Sequence, residues 1–566
     1  MSSVRPSDTR SSQTWSSDSR PSDTRPSDSR SSDTRPSDTR PSSSRSSETR
    51  PSDARSSDTP PSDARLAAIC DASVFAARES AGRHEYDGTI QDLSPSGVRT
   101  ALAALGGPRG TQPYPDPHDE ALAGAAEQAL RVRLGELALH RSNPLWHIEN
   151  LDLSGYDREY APAAERARAR HEHLARWPDG VAAAIEALDR VPAPLAEATL
   201  PLARGLAGYV EPGADAVHDA AERALDRFVR HLERAAVEGP PSGALGSADL
   251  ARLLGSAEGL EIDLAQLAAR VDAERDRLRE LRDESCRRVD PHAKPADTIR
   301  ALQDDHPAAD QVIPEFRKLV GAAVAWAAAH DLVPDHDVLV EVLPMPDAQR
   351  RSLAGATWAA ANEADAPGRF QVSLPLPGWS ATESEEWLRT GFSRSLMANM
   401  VVHEVAPGHL SHGRAMRRAG SEVRRTLLSE ALIEGWAHYC EELALTEGFR
   451  TDPAFAVAVA QDALRRVTRF ACAIGLHSGA MSVADAARRF TEDVALAGPA
   501  AAHEARRGLF DPTYGRYTWG KFAVLDLREQ ARQRWGSAFS LPRFHAALLN
   551  LGAPPLGLLG TALEVG

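Results

Sequence analysis

From Leu66 onward, apolar residues recur every three or four positions through most of the chain, the spacing of an amphipathic helix. Val98–Leu105, Glu120–Leu139, Val181–Leu188, Ala220–Val237 and Leu264–Leu281 carry this period most clearly. Ala, Leu, Arg and Glu dominate them, and all four are strong helix formers. Breaks rich in Pro and Gly at Gly106–Gly110, Glu211–Gly213 and Gly239–Gly243 separate the helical stretches. No repeat of fixed length is visible in this array. The β-like pattern is confined to one region. Val338–Leu343 is β-branched, between Asp337 and Pro344, and Phe370–Leu374 alternates before Pro375. Leu353–Ala361 is small and apolar, and Asn362–Gly368 reads as a turn, so the pair predicts a plain structural hairpin. An edge strand there could also hold an extended peptide. Helical spacing resumes at Thr382, with long helices predicted over Glu383–Glu404, Glu422–Thr446 and Pro453–Ala473. Shorter helices are predicted to begin near Ser482 and Thr518. The prediction is a mainly α protein with a small β-sheet beside a cleft.

The first 65 residues follow a different rule. They repeat Arg-Pro-Ser-Asp-Thr with small variations and offer almost nothing to bury, so ordering them would cost entropy without return. Residues 1–65 therefore read as a disordered tail, 66–295 as an N-terminal helical region, and 296–566 as the region carrying the chemistry. The last two together read as one unit.

The net charge is −15, and the tail, with eleven Arg against ten acidic residues, contributes none of it. An acidic body cannot neutralise phosphates over a large face, which argues against nucleic acid as a partner. The four cysteines are scattered and form no CxxC pair, so no disulfide framework is predicted. The longest apolar stretch, Leu319–Val333, is too short to span a membrane and contains His330 and Asp331. No basic segment followed by an apolar run stands at the written start, and the expected location is cytoplasmic.

The candidate chemistry is concentrated in 403–441. His403-Glu404 ends an apolar helix, as in the zinc hydrolase pattern HExxH, where two histidines four apart share a helix face and the intervening Glu is the base. Here the fourth position is Pro407, and the next histidine is His409. On an ideal helix such a pair stands about 120° apart and cannot grip one ion. Pro407 and Gly408 between them supply a break, and a bulged helix would bring His409 back toward His403. Glu434 could complete a His₂Glu set, one of the known catalytic zinc arrangements. Glu430, Glu434 and His438 share one face of a second helix with Glu441 close by, and some of these would orient the ligands as a second layer.

The segments His403-Glu-x-x-Pro-Gly-His409 and Glu434-Gly-Trp-Ala-x-Tyr-x-Glu441 resemble the DUF885 proteins. That group is similar to helical zinc metallopeptidases of the thimet-oligopeptidase and Taq-carboxypeptidase type. Ser352–Gly355 with Gly368–Pro375, Gly475-Leu-His477 with Ser482–Ala486, and Tyr517-x-x-Gly520-Lys521 with Leu525–Arg528 extend the resemblance over roughly 295–550. It implies a large helical metallopeptidase-like fold, one Zn²⁺ on His403, His409 and Glu434, and Glu404 as general base. It also implies that His477 and Tyr517 line the substrate side, where either could donate to an oxyanion. The expected activity is zinc-dependent hydrolysis of a peptide lying between the two helical regions. A non-peptide amide would serve the same chemistry. The alternative is a non-catalytic helical scaffold with a structural or vestigial metal, motivated by departures from the family pattern at Ala473 and at Pro512-Thr513-Tyr514.

Overall fold

The computed structural model describes residues 63–334, 340–345, 355–358, 360–363, 368–496 and 498–565. The tail expected to be disordered lies outside them up to residue 62. Its last three residues do not. The Asp63 carboxylate accepts the backbone N–H groups of Arg65 and Leu66 and caps the helix Ala64–Asp71. Arg65 is buried and pairs with Glu127 at 2.8 Å and Glu120 at 2.6 Å. The last Pro-Ser-Asp-Ala-Arg repeat thus already holds a cap and a helix start, which composition alone hid.

The helices follow the predicted array, with longer bounds at several ends and informative breaks. Leu264–Leu281 extends to α1, Leu264–Val289. The single helix predicted over Glu383–Glu404 is two: Ala381–Gly391, then α2, Arg394–Glu404. Phe392 between them is turned into the core against Phe316, ring centroids 6.0 Å apart, and Ser393 caps the second piece. The helix α3, His409–Arg417, follows. Glu422–Thr446 divides likewise, because Ser429 starts α4, Glu430–Thr446, by accepting the Leu432 N–H. Pro453–Ala473 runs on as α5, Pro453–Ser478, and α6 covers Arg516–Trp535. The helix Gly498–Phe510 was not anticipated from the pattern.

The strands are β1, Val340–Pro344, β2, Gly355–Trp358, and β3, Gly368–Val372, in the order β1-β3-β2. β3 pairs parallel to β1 and antiparallel to β2, so the hairpin expected between the first and last strands is not the arrangement. The intervening apolar stretch supplies the missing strand. Residues 338–339, 353–354, 359 and 364–367 of the stretches read as strand, apolar segment and turn lie outside the described residues. Phe370 of β3 is fully buried and meets Phe316 edge-to-face at 5.1 Å, a pairing that adds about 0.5–1.5 kcal/mol beyond its area. β2 lies next to α2 and α3.

One hydrophobic core runs from Leu250 through Leu563 and draws on both sides of the 295/296 boundary. The chain from Pro61 onward is accordingly one compact unit. α1 lies along α5, and α4 along α6. The α4–α6 crossing is unusually close. A β-carbon at Gly435 would stand 2.3 Å from the Gly520 backbone, and one at Gly520 would stand 1.7 Å from the Ala431 carbonyl oxygen. Two glycines facing each other let the backbones touch, and this sets where α4 sits.

Gly435→Ala should therefore destabilise the protein by about 1–3 kcal/mol or more, since backbone must move to admit the methyl group. Gly321→Ala, in open space on the helix Val312–Ala329, should instead be neutral or stabilising by up to about 1 kcal/mol. Denaturant midpoints measure both, and equal midpoints would show that the α4–α6 contact tolerates slack.

Candidate metal centre

His403 stands in the last turn of α2, and the helix stops one residue later. Val405, at φ −114° and ψ −82°, leaves helical geometry, and Pro407 has no N–H to continue the ladder. Gly408 turns back beneath the end of α2, its N–H donating to the Val402 carbonyl at 3.1 Å. A β-carbon there would lie 1.9 Å from the His403 carbonyl oxygen, so only glycine fits. α3 then begins at His409. The expected bulge is a complete break between two helices, with the same consequence for the histidines. From α4, the indole N–H of Trp436 donates to the Pro407 carbonyl at 2.9 Å and fastens the turn.

The two imidazoles meet edge-to-face, centroids 4.6 Å apart. Glu434 Oε2 lies 3.5 Å from His403 Nε2 and 3.4 Å from His409 Nε2. The ligand atoms of His403, His409 and Glu434 all fall within 4.8 Å of one another. At those distances Glu434 Oε2 makes no aligned hydrogen bond and remains a buried, unpartnered acceptor among the described residues. Burial pushes the Glu434 carboxyl up, but His409 and His403 outweigh it and hold it well below the usual range. Burial opposes charge on His403 too, as does Arg466, yet Glu434 and Glu441 raise its pKa to about 9. The pocket is built to attract positive charge, and its two imidazoles and carboxylate form a His₂Glu donor set of the kind that suits zinc.

Behind His403 lies Glu441, fully buried. Its Oε1 accepts the His403 Nδ1–H at 2.7 Å, which leaves Nε2 as the ring nitrogen that faces Glu434. Its Oε2 accepts from Arg466 at 2.9 Å and from His438 Nδ1 at 3.1 Å. A carboxylate fixing the tautomer of a ligating histidine is the usual support behind a metal. Burial and the Lys521 charge depress His438 to about 4, so it is neutral.

Glu404 is half-buried, its carboxylate has no hydrogen-bond or ion-pair partner among the described residues, and it follows His403 at the end of α2 without lining the cavity beside the centre. Tyr517, also half-buried, lines a cavity of about 710 Å³ together with His409 and Glu434. The arginines Arg466 and Arg469 lie 5.8 and 5.6 Å from its ring centroid. Burial and the Glu434 charge raise its pKa, so its hydroxyl stays a donor. The cavity is walled by both helical regions, including Arg133 and Glu149 from the N-terminal one. None of β1 or β3 lines it, so neither strand aligns a ligand there. A second cavity, of about 520 Å³, lies at Asp116, Arg424 and Asn550 and contains none of these residues.

The profile of a family described as "Bacterial protein of unknown function (DUF885)" matches residues 77–563. The chain belongs to the DUF885 family. Two solved structures are similar to it. One is described as a putative lipoprotein of unknown function from Shewanella oneidensis, 19% identical, with a TM-score of 0.71, covering 89% of this chain and 98% of that one. The other is described as a putative lipoprotein from Colwellia psychrerythraea, 16% identical, with a TM-score of 0.68, covering 88% of this chain and 97% of that one. Identities this low speak to the fold alone. Curated proteins give no match. No helix among the described residues of the DUF885 chain is long and apolar enough to cross a membrane.

Two expectations for this DUF885 protein need correction. His477 does not line the cavity: it is buried at the end of α5, its Nε2 bonded to the Gly508 carbonyl at 3.0 Å. Burial outweighs that bond and lowers its pKa to about 4, which marks a neutral packing histidine. Glu430 supports no ligand: it is exposed, and its carboxylate pairs with Arg516 at 3.1 Å. In the Tyr-x-x-Gly-Lys segment, Gly520 makes the helix contact, and buried Lys521 pairs with Glu274 at 3.0 Å and with Glu442. Sequence reasoning missed Arg466 and Arg469, which back Glu441 and Tyr517. The signal was there: Arg465, Arg466 and Arg469 cluster in the middle of a helix whose two flanks are mostly apolar. An exposed trio, His171, Asp215 and His218, also meets within 4.8 Å. There Asp215 caps a helix, and the Glu211 N–H occupies His218 Nδ1.

Glu441→Gln should lower zinc affinity about 10–100-fold by loosening His403. Glu430→Gln should leave it unchanged. Competition with a chromogenic chelator measures both, and equal affinities in the two variants would remove Glu441 from the support of the centre.

Proposed function

We propose that this DUF885 protein is a zinc-dependent peptidase. The observation that carries the reading is the convergence of His403, His409 and Glu434, backed by the buried Glu441, beside a cavity that His409, Glu434 and Tyr517 line. A cavity of about 710 Å³ is the size that takes a short peptide or another small ligand.

His403, His409 and Glu434 would hold the metal, and Glu441 keeps His403 in the tautomer that exposes Nε2. Zinc so bound supplies Lewis acidity and lowers the pKa of water toward neutrality. Glu404, next to His403 and without a competing partner, takes the proton of the attacking water and returns it to the leaving amine. Tyr517 keeps its proton at neutral pH and donates to the carbonyl oxygen as charge develops there. Arg469 holds its place beside that ring through a bidentate pair with Glu504, at 2.9 and 2.8 Å. A non-peptide amide would meet the same groups, and a side-by-side assay of peptides and small amides separates the two. The solved neighbours are described as putative lipoproteins, a description of those proteins that does not fit the cytoplasmic expectation well.

Elemental analysis should find about one zinc per chain, matching the three-ligand count of a catalytic site. Glu404→Gln should keep that zinc and lose turnover of a peptide pool by about 10²–10⁴-fold. Tyr517→Phe should lose about 10²–10³-fold in kcat. Substantial hydrolysis by Glu404→Gln removes Glu404 as the base. Failure of the protein to bind zinc after reconstitution would sink the peptidase as a whole.

A further inference from the structure

The N-terminal region delivers to the cavity a cation that forms no ion pair among the described residues. The helix Pro117–Leu130 does not end in a cap. It continues as a π-helix, Arg131–Glu136, where a plain α-helix is predicted over Glu120–Leu139. π-helical turns are rare and concentrate at functional sites. Arg133 lies in this turn and lines the same cavity as His409, Glu434 and Tyr517.

Among the described residues Arg133 makes no hydrogen bond and no ion pair; its recorded neighbour is the Trp146 ring, with the guanidinium carbon 5.1 Å from the centroid. The contrast with Arg516 in the same cavity is direct, since Arg516 pairs with both Glu430 and Asp511. Arg507, also at the cavity without an ion pair, rests on the Tyr514 ring at 4.3 Å and feels the charge of Asp511. A guanidinium cannot shed its proton. Burial works against the charge of Arg133 and lowers its pKa, and the more distant Glu430, Glu149 and Glu258 offset this only in part. Glu149 is itself pushed up to about 8, first by burial and then by Glu430 and Asp511, so near neutral pH it adds little negative charge. None of the carboxylates that line the cavity forms an ion pair with Arg133. A guanidinium resting on an aromatic face keeps its N–H fork free for a planar acceptor, and a carboxylate is the acceptor whose geometry matches it.

We propose that Arg133 is a specificity residue that binds a carboxylate of the substrate within the cavity of the metal centre. The proposal rests on the peptidase reading for what is cleaved, but not for what is bound. The carboxylate has two sources in a peptide: the free C-terminus or an acidic side chain. The C-terminus would make the enzyme act near chain ends, whereas an acidic side chain would set a sequence preference.

The test uses the full chain loaded with zinc and carrying Glu404→Gln, so that peptides bind without turning over. Calorimetry compares tetra-alanine with a free C-terminus, the same peptide amidated, and an amidated peptide with one glutamate. A carboxylate-bearing peptide should bind about ten- to a hundredfold more tightly than the amidated alanine peptide. Adding Arg133→Gln should abolish that preference, and Arg133→Lys should restore part of it. Which peptide gains identifies the source. Equal binding of all three peptides, no binding of any, or a preference that survives Arg133→Gln overturns the proposal. Wild-type turnover of the same peptides, read by mass spectrometry, separates the two claims. Binding discrimination without cleavage defeats the peptidase and leaves Arg133 standing, and cleavage without discrimination does the reverse.

Discussion

The carbonyl oxygen of His403 occupies the space where a β-carbon at residue 408 would sit. Much of the candidate centre follows from that one contact. Two histidines six positions apart cannot share a face of a continuous helix. The chain solves this by ending α2 at Glu404, folding residue 408 back against the helix end, and starting α3 on His409. A side chain at 408 would push the turn outward and separate the imidazoles. Proline at 407 makes the break obligatory, and glycine at 408 makes it tight. Trp436 then ties the turn to α4, the helix that brings Glu434.

The second layer of the site is electrostatic, and its logic is placement more than stability. Glu441 is buried with three donors, from α2, α4 and α5. Burial opposes its charge, but Arg466, His438 and His403 together hold its carboxyl well below the usual range. Lys521 is treated the same way by carboxylates from α1 and α4. A buried ion pair seldom stabilises a protein more than apolar packing would, because desolvation consumes most of the attraction. Its value lies in being unforgiving: the groups are satisfied in one arrangement of the helices, and any slip leaves a charge stranded. Together with the facing Gly435 and Gly520, these pairs fix α4 to a position fine enough for a three-ligand site.

The sequence was legible where one residue type has one physical consequence. Helical periodicity located most of the array, and the Pro407-Gly408 pair announced the break that lets His409 join His403. The third candidate ligand, Glu434, is readable because an acid on a helix of small and apolar neighbours has few other uses. Legibility failed where the partner lies far away in the chain. His477 looks like a donor until Gly508 is seen to accept its hydrogen bond, and Glu430 looks like support until Arg516 claims it. The parallel pairing of β1 with β3 is of the same kind, since it depends on β2, an edge strand of four residues between them in sequence that is too short to announce itself. Helix breaks at Phe392 and Leu427–Ser429 escaped notice because helical periodicity persists across a cap. Asp63 was lost to the opposite error: a composition boundary was taken for a structural one.

The N-terminal region presents only general helical character in sequence, yet it supplies half of the cavity wall. This division has a physical basis. The candidate metal ligands converge within a few ångströms, and here the helices carrying them, α2, α3 and α4, all lie within residues 394–446 and leave a compact motif. Groups that meet the far parts of a ligand act at longer range and need only the right charge in the right wall. Arg133 illustrates this, because its sequence neighbours, Val132 and Leu134, are ordinary buried core residues. What distinguishes Arg133 is a change of helix type and the lack of an ion-pair partner among the described residues, and neither can be read from residue spacing. A site assembled this way would separate chemistry from selection, with the proposed reacting groups on α2, α3, α4 and α6 and the proposed ligand-sensing charge on a π-helical turn more than two hundred residues earlier in the chain.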